Sequence, residues 1–244
     1  MSNNAYAREG VIPITPSLES VGWVNKNFSD LRKTFTALHP ISAKGSDEAP
    51  RGYLYNDPTI RLDPDLKLGL MHLVRSFQVD ETPGINKKLC ICFRLAAEAY
   101  STIESRELYS IHQYWIDEYR ERYDERLLRR IESGQICTAD KAEMATSIQQ
   151  TVREVMVDFF QKYDYLIMPI STSPTPRKSD WSGQLENDLF RLNAPTSLAG
   201  LPSLILPFHC DDRRHSAAQI VINPHKINLV PAILEQIKEF YVET

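Results

Sequence analysis

Apolar positions recur at helical spacing through most of this chain, then give way near residue 163 to short unbroken apolar runs. Residues 1–28 predict irregular, extended chain, because Pro13 and Pro16 break up Ile12, Ile14 and Leu18. Ser29 and Asp30 open a helix that buries Leu31, Phe35 and Leu38 and ends at Pro40. Residues 41–52 read as a surface loop. Asp63, Pro64 and Asp65 start a helix bearing Leu66, Leu70, Leu73, Val74 and Phe77. Pro83 and Gly84 mark a turn, and a further helix follows over about 86–101. The strongest stripe is Leu108, Ile111, Trp115, Tyr119, Tyr123, Leu127 and Ile131, which predicts one continuous helix over 104–132 with Gly134 as its C-cap. Charges of alternating sign from Glu118 to Arg130 fill its other side and read as a solvated face. Thr138 or Asp140 begins the next helix, with Ala145, Ile148, Val152, Val155, Met156 and Phe159 as its core stripe.

After residue 163 the reading changes to strands. The run at 163–170 predicts a fully buried strand. Residues 171–188, rich in Ser, Thr and Pro, read as a long loop of the kind that is either functional or disordered. The stretch 193–208 starts small and polar, breaks at Gly200 and Pro202, and then runs apolar to Pro207. It predicts a loop feeding a buried core strand. A turn at 211–214 leads to a strand at 217–222, and a last helix, capped by Asn228 with Pro231 in its first turn, reaches Tyr241. Strands in this order after a run of helices predict a layered α/β fold.

Composition narrows the function classes. With 244 residues, 42% hydrophobic and 25% charged, the chain has the make-up of a soluble globular protein. Its net charge of −4, with basic and acidic residues interleaved, argues against a nucleic-acid partner. The longest apolar runs, 166–170 and 204–208, are far too short to span a bilayer, so no membrane is expected. The first residues have no apolar core of a secretory signal. Four cysteines in a chain of this length read as free thiols in a reducing, cytoplasmic setting. The nine glycines are scattered, which leaves no phosphate-cradling loop, no Gly-Gly-Ser-Ser catalytic loop and no implied cofactor.

Four groups of residues could hold chemistry. His209, Cys210, Asp211, Asp212 and His215 are the densest set of potential ligands, but their spacing matches no recognised metal site and reads as a polar turn. Cys90 and Cys92, two apart on a helix, point in different directions and read as core thiols. Lys178, Ser179, Asp180, Ser182 and Gly183 could supply a Ser–Lys pair, though any loop of this composition contains such residues. Asn193, Thr196 and Ser197 precede the apolar strand and serve either turn chemistry or ligand contact.

Taken together, these segments resemble the amidase signature family. Tyr-Asp-Tyr-Leu-Ile-Met-Pro at 163–169 is similar to the family's strand of an aromatic, an Asp, apolar residues and Pro. The stretch from Asn193 through Gly200, Pro202 and Pro207 is similar to its Asn–Gly–Pro–Pro segment, and Gln219 with the apolar residues after it to its next strand. Upstream, 10–22 with Ser29, Asp30 and Leu31, then Glu107, Tyr123, Asp124, Arg130, Ile131 and Gly134, follow the family's order. Glu19 stands where the family has Asp, and 209–214 replaces a Gly-containing turn. The resemblance implies a mixed β-sheet flanked by helices in a single domain over 1–244, corresponding to the C-terminal part of the family domain. It also implies that Asn193, Thr196 and Ser197 line a substrate pocket for an amide-containing small molecule. The family's Ser nucleophile, bridging Ser and Lys base lie in Gly/Ser-rich segments before the one matched by 10–22, and no position here matches them. The implied protein is therefore a truncated or degenerate amidase homologue, a pseudoenzyme inactive alone, with an accessory or partner-binding role. A homo-oligomer or a partner protein would cover its open sheet edge. Two alternatives stand beside it: a partner chain that supplies the triad, or a hydrolase with an unrelated site in the 178–183 or 209–215 loops.

Overall fold

The computed structural model describes residues 10–11, 13–39, 49–211 and 214–241. In chain order the elements are α1 (Phe28–Leu38), β1 (Gly52–Leu54), α2 (Pro64–Val74), β2 (Val79–Asp80), α3 (Pro83–His112), α4 (Ile116–Tyr119), α5 (Glu125–Gln135), α6 (Ala139–Phe160), β3 (Tyr165–Pro169), α7 (Gly183–Ala199), β4 (Ser203–His209), β5 (His215–Ile222) and α8 (Val230–Gln236).

Among the described residues the strands form one mixed sheet in the order β2-β1-β3-β5-β4. Strands β2, β1 and β3 run parallel, and β5 is antiparallel to both β3 and β4. Alternation along β3 shows why helices cover both faces. Leu166 and Met168 join Leu89, Phe93, Val152, Met156 and Leu192 of α3, α6 and α7. Tyr165 and Ile167 join Phe35, Leu66, Leu73, Ile233 and Leu234 of α1, α2 and α8. All five residues of β3 are buried, and each large apolar side chain so placed contributes about 1.5–3 kcal/mol. The α/β class and the mixed, helix-flanked sheet are therefore as expected.

Several elements differ from expectation. The stripe from Leu108 to Ile131 does not lie on one helix: α3 ends at His112, a short α4 and a 3-10 turn follow, and Asp124 caps a separate α5. The chain folds back so that Leu108 and Ile116 meet Ile131 and Leu127. Gly134 lies within α5 rather than capping it. Pro83 begins α3 as a first-turn proline instead of forming a turn. Asn27, not Ser29, caps α1, accepting the Asp30 N–H at 2.9 Å. The Pro40 stop and most of the 41–52 loop lie outside the described residues, and Gly52 belongs to β1. The 171–188 loop ends early, since α7 starts at Gly183. Residues 193–199 are helical, with Pro195 inside α7 and Gly200 at φ 65° terminating it. Asn223, accepting from the His225 N–H, caps a 3-10 turn, and α8 then starts at Val230 without a side-chain cap from Asn228.

Strand β4 is an edge strand, not a buried core strand: Ile205 is 47% exposed, and Pro207, which cannot donate to a ladder, is tolerated there. The register fixes what that edge offers. Pro202 accepts from Ile222 N–H and Cys210 donates to Arg214, so the even-numbered residues bond to β5. The N–H and C=O groups of Ser203 and Ile205 therefore point away from the sheet. The Tyr241 hydroxyl donates to the outward Pro207 carbonyl at 2.7 Å and closes that end. Beside this edge lies an apolar cleft of 660 Å³ lined by Trp23, Phe28, Leu31, Leu204 and Leu206 among others.

Candidate functional site

Parallel strands β1 and β3 end side by side, and chemistry on open α/β sheets gathers where strands deliver their carboxyl ends. Both chains stay anchored as they leave the sheet. Tyr55 donates its N–H to Ile167 at 2.9 Å, and Ile170 to Ala217 at 3.1 Å. Beyond them the rim holds Asp57 and Thr59 after β1, and Ser171, Thr172 and Ser173 after β3. Ser171 and Thr172 are buried, and Ser173 N–H donates to Ser171 Oγ at 3.2 Å.

Helix α7 packs across this rim through one amide clip. Gln219 is 2% exposed in the middle of β5. Its Nε2 donates to Leu192 O at 2.9 Å and Asn193 Oδ1 at 3.2 Å, and its Oε1 accepts from the Thr196 hydroxyl at 3.1 Å. Asn193 Nδ2 in turn donates to Ile170 O at 2.8 Å and to Leu189 O at 2.7 Å. A buried amide in an apolar strand must find partners, and these are they.

A second polar link joins α7 to the end of β1. Arg191 Nη2 donates to Asp57 Oδ2 at 2.8 Å and to Thr59 Oγ1 at 2.7 Å. Asp57 Oδ1 accepts from the Thr59 N–H at 2.9 Å and hydroxyl at 2.7 Å. The Asp57 side chain is 1% exposed and that of Arg191 23%, so the pair is shielded from water. Tyr55 and Cys90 border it. Burial, followed by the charge of Cys90, raises the Tyr55 pKa well above a normal phenol. Burial, followed by the charge of Asp57, raises that of Cys90. Both stay protonated near neutrality, so Cys90 is no thiolate nucleophile.

The structure brings Asn193 and Thr196 together on Gln219. Ser197 is half-buried on the same helix, and its carbonyl accepts the Gly200 N–H at 3.0 Å. In the 178–183 segment the Ser179 hydroxyl donates to its neighbour Asp180, and Ser182 caps α7 by accepting the Leu185 N–H. At the β4–β5 hairpin the rings of His209 and His215 lie 4.2 Å apart, and Asp211 binds the backbone and side chain of Arg214. Burial, with Asp63 next, pushes the Cys210 thiol up to about 11. Asp212 lies outside the described residues, among which no three potential ligands converge on a metal position. Cys90 and Cys92 are buried, unbridged thiols. Sequence reasoning missed Asp57, Arg191 and the clip function of Gln219. A lone amide inside Ala-Ala-Gln-Ile-Val-Ile at 217–222 was the available signal for the last.

No family model and no curated protein matches this sequence. The fold, in contrast, is shared with solved structures. An amidase superposes with a TM-score of 0.73 at 17% identity, over 95% of this chain and 55% of its own. A 6-aminohexanoate cyclic dimer hydrolase gives 0.62 at 14%, over 91% and 49%. A bacterial aryl acylamidase of the amidase signature family gives 0.61 at 13%, over 88% and 46%. The chain has the amidase-signature type of fold and spans about half the length of these structures.

Proposed function

We propose that these 244 residues form the scaffold and pocket-wall half of an amide C–N hydrolase fold, and that they do not hydrolyse amides unaided. One observation supports this most directly: the buried polar groups at the rim are spent on one another. Asp57 holds Arg191, and Gln219 holds Asn193 and Thr196. A serine nucleophile needs a base within hydrogen-bond reach and backbone donors aimed at the developing oxyanion. The rim instead supplies fixed walls, in which Asn193 and Thr196 are locked onto Gln219 and half-buried Ser197 beside them faces an amide-containing small molecule. The protein then serves as an accessory chain, either as a pseudoenzyme or as the complement to a partner that brings nucleophile and base. The open edge of β4 supports the second of these roles. Four unbridged cysteines agree with a reducing, cytoplasmic setting, and among the described residues no helix is long and apolar enough to cross a membrane.

The test is an anilide-hydrolysis assay on the purified chain. The expected rate equals that of buffer. Saturable turnover that disappears in Ser179→Ala or His209→Ala would sink this reading in favour of an unrelated site in those loops.

A further inference from the structure

Away from the rim, a cavity of 270 Å³ opens between α3, α5 and the start of α7. One wall is a single face of α5. Arg126, Arg129, Arg130 and Ser133 follow the spacing i, i+3, i+4, i+7 and so lie on one side of the helix. Helix α3 faces them with Ser101 and Ser105, while Trp181 and Glu186 close the remaining side. The two helices approach closely because residue 134 is glycine: a Cβ there would meet Ser105 O at 1.9 Å.

The three guanidiniums are not equally engaged. Arg130 is neutralised, with Nη2 2.7 Å from Glu186 and Nη1 3.5 Å from the largely buried Glu104. It also lies over the Phe190 ring. Arg129 pairs with Glu125, but both side chains are mostly exposed, at 62% and 81%. Such an exposed pair contributes little and yields readily to a better partner. Arg126 sits 5.7 Å from the centre of the Trp181 ring, and among the described residues no carboxylate pairs with it. The lining thus has three cations against one anion, with the hydroxyls of Ser101 and Ser133 as further donors.

We infer that this cavity binds a small phosphate-type dianion, held between Arg126 and Arg129 against Ser133. Guanidinium groups offer paired N–H donors that match the oxygens of phosphate. Arg126 is uncompensated and the exposed Arg129–Glu125 pair can open, so both guanidiniums can share the oxygens of a phosphate while the Arg130–Glu186 pair stays intact. Size points the same way. The volume falls just below the roughly 300–1,000 Å³ of sites for drug-sized ligands. Arg126 already lies over the Trp181 ring on the cavity side. The ligand is therefore inorganic phosphate or the phosphate group of a small ester.

The experiment titrates inorganic phosphate into the full chain at constant ionic strength, by calorimetry and by tryptophan fluorescence, with Trp181 as the local reporter. Saturable one-to-one binding is expected, weakened about tenfold or more in Arg126→Gln and in Arg129→Gln. Arg122→Gln, on an exposed residue outside the cavity, should bind like the parent. Absence of saturable heat overturns the inference. So does an equal fluorescence response to chloride, which would mean charge screening, or unchanged affinity in Arg126→Gln.

Discussion

Gln219 shows how much can hang on one side chain. Gln219→Leu keeps the bulk but strands Leu192 O, Asn193 Oδ1 and the Thr196 hydroxyl in the interior. Each stranded buried group costs about 1–3 kcal/mol, so the urea midpoint should fall by the equivalent of several kcal/mol. A midpoint within error of the parent would mean the clip is not formed. Asp57→Ala should cost about 3 kcal/mol, because Arg191 keeps its charge without a partner. The double variant Asp57→Asn, Arg191→Gln should recover part of that loss in the same melt. Asp80 makes a pH prediction. The Tyr163 hydroxyl at 2.5 Å, then that of Thr82, hold its carboxyl below the usual 3.8. The folded pKa is the lower one, so this stabilisation is complete above about pH 4 and fades as pH falls through the lowered value. The stability gap between parent and Tyr163→Phe should thus be largest at neutral pH and shrink in acid; a gap that widens in acid would contradict the assignment. None of these partnerships was readable in advance, because Asp57 and Arg191 are 134 residues apart and only the fold joins them.

At the scale of elements, periodicity found the buried faces better than it found the breaks between helices. Leu66, Leu70, Leu73 and Val74 of α2, and Ala145, Val152, Met156 and Phe159 of α6, are buried as their spacing requires. Of the stripe from Leu108 to Ile131 only the two ends pack together, Leu108 against Ile131, Tyr123 and Leu127, while Trp115 and Tyr119 in its middle are exposed and Ile116 is buried in their place. Asp124, accepting from the N–H groups of Arg126 and Leu127, was the overlooked sign of a new start. Pro195 and the small residues around it disguised the end of α7 as a loop, while Gly200 marked its true C-cap. Strands β1 and β2, of three and two residues, are too short to leave a pattern. The α3–α5 hairpin gives a test in which two effects oppose. Helix propensity favours Gly134→Ala by about 1 kcal/mol. Packing opposes it, since the new Cβ would overlap Ser105 O, and overpacking of this kind costs about 1–3 kcal/mol or more. A lowered melting temperature is expected; a raised one would show that the helices stand further apart.

At the scale of the whole molecule, the two helical layers cover the faces of the sheet, and among the described residues nothing pairs with the outward polar groups of Ser203 and Ile205 on the β4 edge. Such an edge pairs with other chains unless blocked. We expect the purified protein to associate as its concentration rises in sedimentation velocity, and Ile205→Lys to shift it toward monomer. A parent that stays monomeric throughout would remove the edge from consideration as an interface. Here the sequence misled for a definite reason: an apolar run ending in Pro looks the same whether one neighbour or two flank it. The position of β3 has a consequence in time. It pairs on one side with β5, a few dozen residues downstream, and on the other with β1, where Arg51 and Asp164 meet across 113 residues. Contacts so distant form late, because a long loop must close first. As the chain leaves the ribosome, α3, α5 and α6 can assemble while β1, already able to pair with β2, waits for β3. The centre of the finished sheet is thus among the last parts to be built, and the interval before β3 arrives is when this protein most needs shelter from its own kind.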